Sequence, residues 1–160
     1  MAQSGEKWVH MFRGSSNHTI DGKGRIIIPS RFRDQFDTNN GDAVALMITR
    51  LDDCLFAYAL KDWIKIEERI VSLSETSDKM RAFRRFFIGG AYECFCDKQG
   101  RVLIPPTLRK YADLQRDIVL VGALEYFEIW SQERWNKADM EMGNALQDES
   151  MRNDIAKLGL

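Results

Sequence analysis

The chain repeats itself, and that restricts its fold more than any other feature. Residues 18–36 read HTIDGKGRIIIPSRFRDQF and residues 94–112 read CFCDKQGRVLIPPTLRKYA. With one set above the other, Asp21 falls on Asp97, Gly24 on Gly100, Arg25 on Arg101, Ile28 on Ile104, Pro29 on Pro105 and Arg33 on Arg109. Between the shared Gly-Arg and the shared proline, each copy carries an apolar triplet, Ile26-Ile27-Ile28 and Val102-Leu103-Ile104. Identities at one fixed offset that include glycine, arginine and proline mark a duplicated structural unit. The likeness continues more loosely. The β-rich stretch Val44–Tyr58 ends CLFAY with Trp63 after it, and Ile118–Trp130 ends FEIW with Trp135 after it. Two copies in 160 residues are too few, and too long, for a solenoid.

The pattern predicts local structure. Gly24 and Gly100 stand where a tight turn needs positive φ, which glycine adopts without steric cost. The aliphatic triplets suit buried strands. Pro29 and Pro105 end those strands, because proline donates nothing to a ladder. Ser30 is the expected cap of a short helix Arg31–Phe36, and Pro106 suits the first turn of the equivalent helix. Each repeat therefore reads hairpin, short helix, hairpin, helix. Trp63, Ile66, Ile70 and Leu73, then Met80, Phe83 and Phe87, fall at helical spacing, with a break at Ser74–Asp78 and an end at Gly89-Gly90. After Trp135 the tail reads as a weakly amphipathic helix with a fraying end.

One repeat alone has exposed edges and too little core. The expected fold is α+β: two tandem hairpin modules whose edges pair into one small pseudo-twofold β-barrel with flanking helices. The expected division is an N-terminal extension over 1–12, a first module over 13–60, connecting helices over 61–90, a second module over 91–134 and a helical tail over 135–160.

Charge balance argues against DNA binding unless positive charge is concentrated, since 23 Lys and Arg face 24 Asp and Glu for a net charge of −1. It is concentrated. Lys23, Arg25, Arg31 and Arg33 form one group, Lys98, Arg101, Arg109 and Lys110 another, and Arg81, Arg84 and Arg85 a third. From Glu133 onward carboxylates outnumber Lys and Arg six to four. Such segregation can present one basic face, although scattered solvating charge reads the same way.

Other classes find no support. Apolar residues at 44% and charged residues at 29% fit a globular domain. The polar start lacks a signal-peptide core, and no run reaches the roughly 18–20 apolar residues of a membrane span. Cys54, Cys94 and Cys96 are too few and odd in number for a disulfide framework, which predicts reduced thiols and a cytoplasmic location. His10 and His18 with the closely spaced Cys94 and Cys96 write no zinc site, and no metal or cofactor is expected. No nucleophile-elbow, P-loop or zincin motif appears, so the chain is expected not to be an enzyme. Trp63, Trp130 and Trp135 read as core or interface anchors.

The sharpest candidates are Arg25 and Arg101. An arginine beside a hairpin turn can donate two parallel hydrogen bonds to O6 and N7 of guanine in the major groove. Asp21 and Asp97, four residues earlier, can hold each guanidinium by a bidentate pair. An equal reading is that each Asp–Arg pair only closes its hairpin. Lys23 and Lys98, in the turns, are natural phosphate contacts. Arg13, Arg31, Arg33 and Arg109 are weaker candidates, each also readable as a solvated charge.

MFRG at Met11–Gly14, the two repeats and LVGALEYFEIW together resemble the MraZ family over residues 11–135. The resemblance implies tandem AbrB-like swapped-hairpin modules in a nucleoid-associated transcriptional regulator. It implies assembly into rings on double-stranded DNA, at short G-rich direct repeats in the promoter of a cell-division and cell-wall operon. It maps the family's Asp and Arg signature onto Asp21 with Arg25 and Asp97 with Arg101. The arginines then become DNA contacts, while Asp21, Asp97, Gly24 and Gly100 orient the hairpins. Residues 1–10 precede the family's usual start, and Gly22 replaces a common small alanine-like residue, loosening the first turn. The alternative is a protein-interaction module of antitoxin type. Such chains carry one hairpin module and a disordered tail, whereas here the module is duplicated.

Overall fold

The structure, a computed structural model, describes residues 11–36, 44–74 and 77–160. The sequence's expectation for residues 1–10 lies outside them. The strands are β1 (Ser15–Thr19), β2 (Arg25–Ile27), β3 (Val44–Leu51), β4 (Cys54–Ala59), β5 (Tyr92–Cys96), β6 (Arg101–Leu103), β7 (Asp117–Gly122) and β8 (Phe127–Ser131). Among the described residues the helices are α1 (Ser30–Arg33), α2 (Leu60–Ser74), α3 (Asp78–Gly89), α4 (Pro106–Tyr111), α5 (Gln132–Ala145) and α6 (Glu149–Ala156). No helix among the described residues is long and apolar enough to cross a membrane.

All strands join one antiparallel sheet in the order β1-β7-β8-β4-β3-β5-β6-β2, nearly closed into a barrel. The order records an exchange between repeats. β1 of the first repeat pairs with β7 of the second, Ser15 opposite Val121 and Thr19 opposite Asp117. β5 of the second pairs with β3 of the first. β2 pairs with β6, and β4 with β8, across the pseudo-twofold axis.

The opening hairpins are therefore not ordinary ladders. After the turn, β1 and β2 diverge to partners in the other repeat, and β5 and β6 keep a single pairing, Cys96 with Val102. Physically, a triplet strand has too few ladder bonds to hold a hairpin, and two such strands exchanged between repeats leave fewer unpaired edges.

Strand alternation sorts the core. Leu46, Ile48, Leu55, Ala57, Ile118, Leu120, Phe127 and Ile129 point into the barrel and are 4% exposed or less, together with Ile26, Ile28, Val102 and Ile104 from the triplets. Both repeats contribute, so the modules share one interior. A second layer, with Phe56, Tyr58, Trp63, Phe87, Val119 and Trp130, fills the space between the outer sheet face and the helices. The MFRG motif closes one end of the barrel. Phe12 exchanges backbone bonds with Leu124, both 2.8 Å, and its ring lies 5.4 Å from Phe32 and 5.3 Å from Phe127. Gly122 is required there, because a Cβ would meet the Arg13 nitrogen at 2.4 Å.

Helix limits mostly follow the sequence. The break after α2 is real, with Ser77 capping α3 through a bond accepted from the Met80 N–H, and Gly90 follows the end of α3. Pro106 opens α4. The expected Ser30 cap is wrong. Pro29, with extended backbone, is the N-cap of α1 and makes no side-chain bond, and Ser30 is already helical. The helix also stops at Arg33. The chain then winds by shorter bonds, Gln35 N–H to Phe32 and Phe36 N–H to Arg33, which swing Phe36 into the core.

Candidate nucleic-acid interface

Each repeat ends its first strand in the same four-residue turn. Gly24 N–H donates to Asp21 O at 3.0 Å, and Gly100 N–H to Asp97 O at 2.9 Å. The glycines have φ of +85° and +82°, the left-handed backbone the sequence demanded. One aspartate oxygen then organises the turn. Asp21 Oδ1 accepts the Lys23 and Arg25 backbone N–H groups, both at 2.9 Å, and Asp97 Oδ1 accepts those of Gln99 and Arg101, also at 2.9 Å. The other oxygen takes the arginine. Arg25 Nε lies 2.8 Å from Asp21 Oδ2, and Arg101 Nε lies 2.9 Å from Asp97 Oδ2.

The expected bidentate pair is thus corrected to a single Nε contact. Asp21 cannot offer two oxygens to the guanidinium because Oδ1 is already committed to the backbone. This leaves the Nη edge of each arginine for another partner. Asp21 is held down to about 2, first by the Arg25 backbone N–H, against desolvation, and then by the Arg25 guanidinium and the Lys23 N–H. Asp97 is lowered for the same reasons, with the Arg101 backbone N–H foremost. Both carboxylates stay ionised, and each aspartate closes its turn with one oxygen and pairs with its arginine through the other.

The exchange of strands brings the two arginines to one surface. β2 and β6 run antiparallel with Ile26 opposite Val102, Arg25 opposite Leu103 and Ile27 opposite Arg101. Two further bonds lock this ribbon to the opposite turns, Ile28 N–H to Gly100 O at 2.8 Å and Ile104 N–H to Gly24 O at 2.9 Å. Ile26 and Val102 point inward, so alternation turns Arg25, Ile27, Arg101 and Leu103 outward together. The arginines are diagonal neighbours, with Cα atoms about 7–8 Å apart. Their side chains are 32% and 36% exposed.

The triplets were expected as wholly buried. Their middle residues are not: Ile27 is 54% exposed and Leu103 55%. Period-two alternation of the backbone turns each outward between two buried neighbours, and three apolar residues in a row hide this in the sequence.

The weaker candidates separate. Arg33 and Arg109 pack beneath the turns of the opposite repeat. A Cβ on Gly24 would stand 2.5 Å from the Arg109 guanidinium carbon, and one on Gly100 would stand 3.0 Å from that of Arg33. Arg109 Nε also donates to Ile104 O at 2.9 Å, while the buried Arg33 Nε has no hydrogen-bond partner among the described residues. Arg31 donates to Ser16 Oγ at 3.1 Å and lies over the Phe32 ring. Arg13 is exposed between Phe12 and β1. Lys23 and Lys98 are exposed in the turns but not at equivalent places, because Lys23 matches Gln99, and Lys98 matches Gly22. Among the described residues no group of three or more His, Cys, Asp or Glu side chains converges as metal ligands would. The three cysteines are buried thiols.

Known proteins of the same kind are plentiful. The chain is 53% identical over 150 residues to the transcriptional regulator MraZ of Desulforapulum autotrophicum, covering 94% of this chain and all of that one. It is 51% identical to that of Desulfosudis oleivorans and 49% to that of Desulfitobacterium hafniense, with the same coverage. Residues 11–86 and 87–154 each match the family described as "MraZ protein, putative antitoxin-like". Two matches in tandem divide the chain as its duplicated turns do, and the chain belongs to the MraZ family.

Proposed function

We propose that the chain is a sequence-specific DNA-binding regulator of transcription whose β2–β6 ribbon enters the major groove. One observation carries this reading: Arg25 and Arg101 stand diagonally on a single outward face, each aimed by an aspartate through Nε. A groove about 12 Å wide admits a two-stranded ribbon, and guanine offers O6 and N7 to an arginine edge. Lys23 and Lys98 meet flanking phosphates. Arg33 and Arg109 hold the turns from beneath, and Arg13 and Arg31 add positive charge around them. The names of the relatives support the same class.

In this reading the chain acts by binding and not by catalysis, in the cytoplasm at the nucleoid. Its target is a set of short G-rich direct repeats in the promoter of its own cell-division and cell-wall operon. It binds them as a ring of identical chains associated through the α2–α3 helices, because the swapped modules already satisfy each other within one chain. Fluorescence anisotropy on a duplex from the upstream region tests the site. Arg25→Ala and Arg101→Ala should each weaken binding by about 1–3 kcal/mol, the worth of a bidentate guanine contact, with an unchanged circular dichroism spectrum. Parental affinity in both variants would move the site elsewhere.

A further inference from the structure

The ribbon face carries two large aliphatic side chains that its arginines leave unexplained. Ile27 and Leu103 are more than half exposed, whereas Ile26, Ile28, Val102 and Ile104 around them are fully buried. The register fixes their neighbours: Leu103 stands directly across from Arg25, and Ile27 across from Arg101. Each aliphatic therefore sits about 4.5–5.5 Å from one arginine across the ribbon and about 7 Å from the other along its own strand. The apolar pair and the basic pair form one checkered patch, so whatever the arginines dock on also meets Ile27 and Leu103. In a major groove the apolar feature available to such side chains is the C5-methyl of thymine.

We infer that Ile27 and Leu103 are specificity-determining residues that pack on thymine methyls beside the guanines contacted by Arg101 and Arg25. This rests on the DNA-binding reading above. Successive bases along a strand are about 3.4 Å apart, so each methyl lies within two base steps of its guanine. The arginines read hydrogen bonds and the aliphatics read shape and apolarity, and the ribbon distinguishes thymine from cytosine at the flanking positions.

The test changes the DNA before it changes the protein. A duplex from the upstream region is prepared with thymine or with deoxyuridine throughout, which removes every C5-methyl and keeps the pairing. The full chain should bind the deoxyuridine duplex about fourfold more weakly for each methyl lost from contact. The Ile27→Ser/Leu103→Ser variant should bind both duplexes alike while keeping its dependence on Arg25. Equal affinity of the parent for both duplexes overturns the inference and leaves the DNA reading standing. So does a thymine preference that persists in the double variant, which would report groove shape. A fall in native mass of the double variant, with no change in base preference, would assign the patch to contact between copies of the chain. Failure of the parent to prefer the thymine duplex over a scrambled one overturns the DNA reading and the inference with it.

Discussion

Asp21 does two jobs with two oxygens, and its titration exposes both. Its folded-state value is about 2, below the ordinary 3.8. A depressed carboxylate stabilises the fold fully above its unfolded value and loses that contribution as pH falls through its folded value. The melting temperature of Asp21→Asn should therefore lie below the parent at neutral pH, with the gap closing between about pH 4 and pH 2. A constant gap across that range would show that the charge contributes nothing. Gly24 tests the turn from the other side. Its φ of +85° costs an alanine about 1–2 kcal/mol, and the new Cβ would also strike the Arg109 guanidinium, which is tethered to Ile104 O. Denaturant melts of Gly24→Ala, Arg109→Ala and the double variant form a cycle. Arg109→Ala should relieve the steric part and leave the backbone part. Gly100→Ala should cost less than Gly24→Ala, because its neighbour Arg33 stands 3.0 Å away and not 2.5 Å. At this scale the sequence was informative where a residue type has one physical use. Positive-φ glycines and strand-ending prolines were legible. The single-Nε contact was not, because nothing in the spacing of Asp21 and Arg25 says that the backbone takes the other oxygen first.

Elements were legible from periodicity, and their partners were not. Triplet, proline and short helix could be read twice over, and the single α2–α3 break, where Ser77 caps the new helix, could be read as well. The exchange of β1 and β5 between repeats follows from energies that no local pattern records. Swapping short strands leaves fewer unpaired edges, but the alternation within β1 is the same whichever strand lies beside it. The docking of α3 is also invisible in sequence. Its last carbonyls need hydrogen-bond donors from outside the helix. Phe86 O takes Gly90 N–H at 3.1 Å and Arg50 Nε at 3.2 Å, Phe87 O takes the buried Thr49 hydroxyl at 2.6 Å, and Ile88 O takes Ala91 N–H at 3.1 Å. Thr49 and Arg50 look like ordinary strand residues, yet they cap a helix 36 to 38 positions away. Thr49→Val keeps the shape and removes the donor, leaving a buried carbonyl unsatisfied. Equilibrium denaturation should show a loss of about 1–3 kcal/mol. A loss within 0.5 kcal/mol or so, the usual range for indifferent substitutions, would mean that α3 is held by its apolar face alone.

At the scale of the molecule, the proposed function asks a chain of net charge −1 to meet a polyanion with one small face. The barrel offers a single β2–β6 ribbon, with the half-buried Arg25 and Arg101 and the exposed Lys23 and Lys98 as its cations. Few phosphates are neutralised by one such face, so one chain should bind weakly at physiological salt. The pseudo-twofold axis is already used within the chain, and a further copy must attach through another surface. The outward side of α2, with Ile64 55% exposed, is the surface proposed here. A head-to-tail contact between identical chains closes into a ring when its rotation permits. A ring sets several ribbons at fixed spacing, and once one ribbon is bound the next repeat is reached intramolecularly, at an effective concentration near millimolar. Affinity should then climb by orders of magnitude from one repeat to two and three, and level off when repeats outnumber the ribbons that one face of DNA can reach. Inserting half a helical turn between repeats should return a two-repeat probe nearly to single-repeat affinity, because the second site rotates to the far side of the duplex. The salt dependence should steepen with repeat number, since each added ribbon releases its own counterions. Anisotropy titrations of probes with one to four repeats, in phase and out of phase, at two salt concentrations, measure all three effects. Equal affinity across the series would show that one ribbon is sufficient and that assembly plays no part in recognition.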